Sequence, residues 1–175
     1  EQLEEEERLY LHDWSNREVV FSAYNEFVTR FQLYSSTSPI SSELTALISQ
    51  YKANPKKYPY CLFTLYFSNV FFGLLQCIQL DSLRYAVDQL KDEEKRWALG
   101  ILVVTAYQVS SGHAGHFAQP RRISSQNILE TLSQRQKSAY HEFSKRFLCL
   151  AEESERCQNE VKLIAGPWQN ALEFA

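Results

Sequence analysis

Residues 96–109 read "RWALGILVVTAYQV". Asp92 can cap a helix whose body is this stretch, and that body is apolar on nearly every side. A helix with one polar face can lie on a surface. A helix without one needs neighbours around it and belongs at the centre of a bundle. The chain offers such neighbours. Residues 61–90 are its most apolar part, and Leu80, Leu83, Val87 and Leu90 continue a helical spacing. Ser68 and Asn69 read as a cap or a break within it. With Gln76 they interrupt the apolar run around 61–80, which makes it a poor membrane span. Phe63, Phe67, Phe71, Phe72, Trp97 and Tyr107 are expected in a ring-rich core. Arg84 is expected to pair along its helix with Asp81 or Asp88.

The flanking segments support the same class. Residues 1–7 hold five Glu, a composition typical of a solvated or frayed helix start. Ser15-x-x-Glu18 has the form of a capping box ahead of Val20, Tyr24, Phe27, Val28 and Phe31, which share a helix face. Residues 35–39 form a loop. Ser41 or Ser42 can cap a helix bearing Leu44, Leu47, Ile48 and Tyr51, stopped by Pro55. Residues 54–60 are a turn-rich link. Ser124 or Ser125 opens a long helix with Ile128, Leu132, Ala139, Phe143, Phe147 and Leu150 on one face. "EVKLIAG" at 160–166 has the length and alternation of a strand. A lone strand needs partners, so it points to a sheet outside this chain. The expected fold is mainly α: a helical bundle over residues 1–158, with one C-terminal strand in a strand-turn-helix unit over 159–175.

At 175 residues and 45% hydrophobic, the chain can bury a real core. Its net charge of −3 supplies no overall basic field, so any nucleic-acid contact must come from a local patch. Cys61, Cys77, Cys149 and Cys157 contain no C-x-x-C and read as buried, reduced thiols of an intracellular, cytoplasmic protein. The chain has no Met and opens on Glu1. That points to a piece of a longer protein, or to a sequence from which modified Met residues are missing.

"HAGHFAQPRR", residues 113–122, concentrates the polar chemistry. His113 and His116 form H-x-x-H, but no nearby Cys, Asp or Glu completes a zinc ligand set. Ser110 and Ser111 lie close by without a G-x-S-x-G elbow or an orienting acid. The chain has no Gly-rich phosphate loop. Nucleic-acid contact suits the residues better. Gln119 can pair two-point with adenine, while Arg121 and Arg122 can bind phosphate or guanine. His113 and His116 can donate to phosphate or pack at the loop base. Gly112 and Gly115 permit tight turns. Phe117 can stack, wedge or anchor the loop. Lys56 and Lys57 can contact backbone phosphate or stand as ordinary surface lysines. The competing reading is a plain polar connector in a non-catalytic helical interaction module, whose apolar faces dock protein partners.

Three stretches together resemble one family. "YFSNVFFGLLQCIQLDSLRYAVDQL" (66–90) is similar to the helical segment of Dam-like adenine-specific DNA methyltransferases. "ALGILVVTAYQVSSGHAGHFAQP" (98–120) resembles the apolar helix and G-x-F-x-x-P loop that follow it there. "NEVKLIAGPWQNALEFA" (159–175) resembles the strand and turn leading to the catalytic motif. The resemblance implies a Rossmann-like domain that binds S-adenosylmethionine through a Gly-rich motif. It also implies a D-P-P-Y motif that holds a flipped adenine. A helical target-recognition region lies between the two motifs, often in a restriction-modification setting. This chain has neither motif. The resemblance therefore implies the recognition insert alone, with duplex DNA and the catalytic domain of the same parent protein as partners and no membrane. Gly115, Phe117 and Pro120 carry over as loop-shaping residues. Gln119, Arg121, Arg122, His113, His116, Lys56 and Lys57 are the candidate DNA contacts. Some relatives have Asn after the Phe, where this chain has Ala118. The reading predicts a Gly-rich strand-turn encoded upstream of Glu1 and D-P-P-Y shortly downstream of Ala175. Sequencing the flanks of the parent reading frame checks this, and absence of both sinks it.

Overall fold

The computed structural model describes residues 1–11, 14–31, 46, 48–51, 53–112 and 120–156. These are mainly helical. The elements are α1 (Gln2–Tyr10), α2 (Arg17–Phe31), α3 (Leu62–Tyr66), α4 (Leu74–Asp88), α5 (Asp92–Val109), α6 (Ile128–Arg135) and α7 (Ala139–Arg156). A further helical stretch lies at residues 46–53, part of which is described. Among the described residues there is no strand, only an isolated bridge between Ser68 and Phe72. The expected strand at 160–166 and the rest of 159–175 lie outside the described residues, as do the expected caps Ser41 and Ser42.

Two apolar clusters form. One gathers Phe71, Phe72, Cys77, Leu80, Leu102, Ala106, Val109 and Ala139, with Phe63, Phe67 and Phe143 packed against it. It joins α4, α5 and α7 and takes in α3. The other gathers Leu9, Val20, Tyr24, Phe27, Ile128 and Leu132 from α1, α2 and α6. The ring-rich core therefore holds Phe63, Phe67, Phe71 and Phe72 as expected. Trp97 and Tyr107 are different: they are 57% and 45% exposed. With Val103 and Val104 they form an open stripe on α5. Helix α5 packs on α4 and α7, and this stripe stays exposed. The helix that the sequence sets at the bundle centre is thus covered on two sides and bare on another.

A polar seam joins the two clusters. Glu6, expected in a frayed charge run, is 2% exposed. Its Oε1 accepts from Leu74 N at 3.0 Å and Tyr10 Oη at 3.0 Å, and its Oε2 from Leu75 N at 3.3 Å. A carboxylate of α1 thus caps the N-terminus of α4, where unpaired N–H groups and the helix dipole favour negative charge. Gly73, which precedes α4, permits the approach. A Cβ there would stand 2.6 Å from Glu6 Oε1 and 2.9 Å from Tyr10 Oη. Burial, then the Glu6 charge, pushes the Tyr10 phenol well above its ordinary range.

Gln76 works the seam from α4. Its Oε1 accepts from Gly73 N at 3.1 Å. Its Nε2 donates to the carbonyls of Gln134 and Lys137, each at 2.9 Å. Those carbonyls lie where the expected long helix of 124–150 instead divides into α6 and α7. Gln76 satisfies the end of α6, Ser138 Oγ accepts from His141 N at 3.2 Å, and Gln79 Oε1 accepts from Ala139 N at 2.7 Å to start α7. The periodicity survives the break because both helices face buried clusters.

Local caps differ from the expected ones in register. Asn16, not Ser15, opens α2, accepting from Glu18 N at 3.2 Å and Val19 N at 3.4 Å. Asn69 is part of a break: it sits at φ 59° in the turn before α4, a conformation Asn tolerates better than most residues. Arg84 pairs with Asp88 at 2.5 Å, one of the two expected alternatives, and Lys95 joins at 2.6 Å. Asp81 instead accepts from Phe63 N at 3.0 Å and Thr64 N at 2.9 Å, capping α3. Of the cysteines expected to be buried, only Cys77 is so among the described residues; Cys61 is half-buried and Cys149 exposed, all as free thiols, and Cys157 lies outside the described residues.

Replacing Glu6 with Ala leaves two part-buried N–H groups and a part-buried phenol without their acceptor. Urea unfolding should show a loss of roughly 3 kcal/mol. Glu6→Gln, which keeps an acceptor oxygen, should lose less, and Glu4→Ala, on the exposed face, should be near neutral.

Candidate functional site

The chain leaves the first cluster at Val109 and enters α6 at Ile128. Between them, 113–119 lies outside the described residues. The expected contacts His113, His116 and Gln119, and the loop-shaping Gly115 and Phe117, fall there. Both ends of the loop are described, and both are tied down.

At the outgoing end, Ser110, Ser111 and Gly112 follow α5. Ser111 N donates to Phe71 O at 2.7 Å, and its Oγ donates to the same carbonyl at 2.8 Å. Ser111 Oγ also accepts from Arg135 Nε at 3.1 Å. Arg135 is 3% exposed. Its other nitrogens donate to Tyr24 Oη at 3.1 Å and Asn69 O at 3.2 Å. A single guanidinium from α6 therefore holds the end of α5, the turn before α4 and α2. Burial raises the Tyr24 phenol, and the Arg135 charge opposes that rise. Gly112 N donates to Ser110 Oγ at 3.0 Å, turning the chain as it enters 113–119.

At the returning end, Pro120 is exposed. Arg121 donates to Glu130 Oε2 of α6 at 2.7 Å. Asn127 donates to Arg122 O at 3.0 Å and accepts from Ser124 N at 3.0 Å, fastening the segment ahead of α6. Arg122 is exposed. Of the two candidate arginines, one is engaged within the protein and the other faces solvent. Lys56 and Lys57 are exposed on the turn ahead of α3, on a different element, and Lys57 Nζ lies 5.3 Å from the Tyr58 ring centroid.

The ends of the loop frame a cleft of about 240 Å³ between the last turn of α5 and α6. Tyr107, Ser110, Arg121, Glu130 and Gln134 line it. Gln134 Nε2 donates to Gln108 O, tying α6 to the last turn of α5. Sequence reading missed this cleft, as it missed the Arg135 anchor. A signal existed: Tyr107 and Gln108 end an apolar helix, and Glu130 and Gln134 stand four apart on the next amphipathic one.

Among the described residues, no group of three or more His, Cys, Asp or Glu could hold a metal ion. No described helix is long and apolar enough to cross a membrane. The described glycines do not suit S-adenosylmethionine. Gly73 is filled by Glu6 and Tyr10, Gly100 lies on the exposed face of α5, and Gly112 follows a helix rather than a strand. Compared with known proteins, the chain matches no family model, no curated protein and no solved structure.

The Arg121–Glu130 pair makes a pH prediction. Its hydrogen bond from Arg121 holds the Glu130 carboxyl below the usual 4.5. A depressed folded value means that the pair's contribution is present above pH 4.5 and fades as pH falls through the folded value. A carbon-detected titration of the Glu130 carboxyl should place its midpoint below 4.5, and Arg121→Ala should return the midpoint towards 4.5.

Proposed function

We propose that the chain is the target-recognition segment of an S-adenosylmethionine-dependent adenine-specific DNA methyltransferase. Its parent's catalytic domain would carry the transfer. The reading rests on the resemblance of residues 66–90 and 98–120. It is supported by how those residues pack: Phe71, Phe72, Cys77, Leu80, Leu102, Ala106 and Val109 form one cluster. Ser111, at the foot of the G-x-F-x-x-P loop, is bonded back to Phe71 and Arg135. A loop that positions duplex DNA must be held by a rigid base, because phosphate contacts fix register only when their donors are fixed.

In this reading Arg122 offers a solvent-facing guanidinium to phosphate, and Arg121 exchanges or shares its Glu130 partner on contact. Gln119 reads a base edge, and His113 and His116 assist at the backbone. Lys56 and Lys57 form a second, separate phosphate contact. The cofactor belongs to the parent's catalytic domain, and the setting is cytoplasmic.

A second reading has its own observation. The bare stripe of Trp97, Val103, Val104 and Tyr107 on α5 is the kind of apolar surface that docks another protein body. A non-catalytic interaction module would use it and leave 113–122 as a connector.

The double variant Gln119→Ala with Arg121→Ala separates the two. In the full chain it should weaken duplex DNA binding about 10- to 100-fold at low salt. It should also flatten the dependence of log affinity on log salt by about 0.9 for each lost phosphate contact. Unchanged affinity at low salt would remove the loop from the interface.

A further inference from the structure

We infer that the cleft between α5 and α6 holds a single unstacked nucleobase, one bearing an exocyclic amino group beside a ring-nitrogen acceptor, as adenine and cytosine do. The inference rests on the nucleic-acid reading above and deepens it by giving Arg121, with Glu130 and Tyr107, a base to hold.

Size is the first observation. At about 240 Å³, the cleft falls below the roughly 300–1,000 Å³ of sites for drug-sized ligands, and suits one planar ring system. Its wall is the second. Tyr107, at the last turn of α5, lines the cleft and is 45% exposed, so part of this aromatic side chain is open to a ligand. A base of any identity can stack on an aromatic ring, because every base has a π-face.

The edge chemistry is the third. Arg121 and Glu130 set a donor and an acceptor side by side, joined at 2.7 Å. The guanidinium spends one N–H on this bond and has others, and the 70% exposed carboxylate keeps lone pairs for a further donor. An amino group can donate to Glu130 while the neighbouring ring nitrogen accepts from Arg121. Thymine presents carbonyls on both sides of an N–H and lacks that order. Two of the lining residues are tied down, Gln134 by its bond to Gln108 O and Ser111 by Arg135. The base would enter a formed recess rather than mould one.

Three labelled hairpins probe the full chain by fluorescence anisotropy: a perfectly paired duplex, the same duplex with one bulged adenine, and the same with one bulged thymine. Wild type should bind the adenine bulge about tenfold tighter than the paired duplex, and the thymine bulge less tightly than the adenine one. Tyr107→Ala should erase the bulge preference while changing paired-duplex affinity less than about twofold, since that affinity comes from phosphates. Tyr107→Phe, which keeps the ring, should retain the preference. Equal affinity for bulged and paired duplexes in wild type, or a preference that survives Tyr107→Ala, overturns the cleft assignment and leaves the duplex-binding reading standing. Failure to bind any of the three overturns both.

Discussion

Everything in this fold passes through a polar seam between two apolar clusters, and two buried charges carry it. Glu6 reaches from α1 to the N-terminus of α4. Arg135 reaches from α6 to α2, to the turn at Asn69 and to Ser111. Neither could be buried alone, because an ion taken from water must recover its lost hydration through hydrogen bonds. Glu6 does so with two backbone N–H groups and a phenol. Arg135 does so with a hydroxyl, a phenol and a carbonyl. Gln76 adds neutral bonds to the end of α6. Apolar packing is non-directional and tolerates sliding. These bonds are directional, and they fix how α1, α2 and α6 sit against the other helices.

The seam also explains why the candidate site is where it is. Ser111 follows the end of α5, and Arg135 ends α6. Joining them fastens the point at which the chain departs for 113–119. The Arg121–Glu130 and Asn127–Arg122 bonds fasten its return. The two ends are therefore set by α6, a helix of only eight residues, whose own termini are held by Asn127 and Gln76. Substitutions far from the loop in sequence, at Gln76 or Arg135, should be felt there through its base.

Much of the bundle was legible in hydrophobic spacing. The helices over 17–31, 74–88, 92–109 and 139–156 follow their apolar positions, and the Phe-rich stretch before α4 is core. What spacing could not show was polar and long-range. Glu6 sits among five acidic residues and reads as solvated, although Leu3, Glu6 and Leu9 share a helix face. Arg135 reads as one more surface arginine in an amphipathic helix. The α6–α7 break leaves no Gly or Pro behind, because the capping groups come from Gln76 and Gln79 on α4. Trp97 and Tyr107 read as core because periodicity reports apolarity, not what is present to cover it. Of the site, Arg121, Arg122, Lys56 and Lys57 could be placed, while the cleft needed the tertiary fold to bring α5 beside α6.

The span of the Glu6 contact sets a timetable for the growing chain. Its carboxylate bonds to a backbone group 68 residues downstream. At roughly 5–20 residues per second, α1 leaves the ribosome several seconds before the helix end it caps has been made. Arg135, nearly as far again along the chain, arrives later still. Helices α1 and α2, made before the rest of this bundle, are thus among the last of it to be locked, and until then α2 must keep its apolar face without the partners that finally bury it.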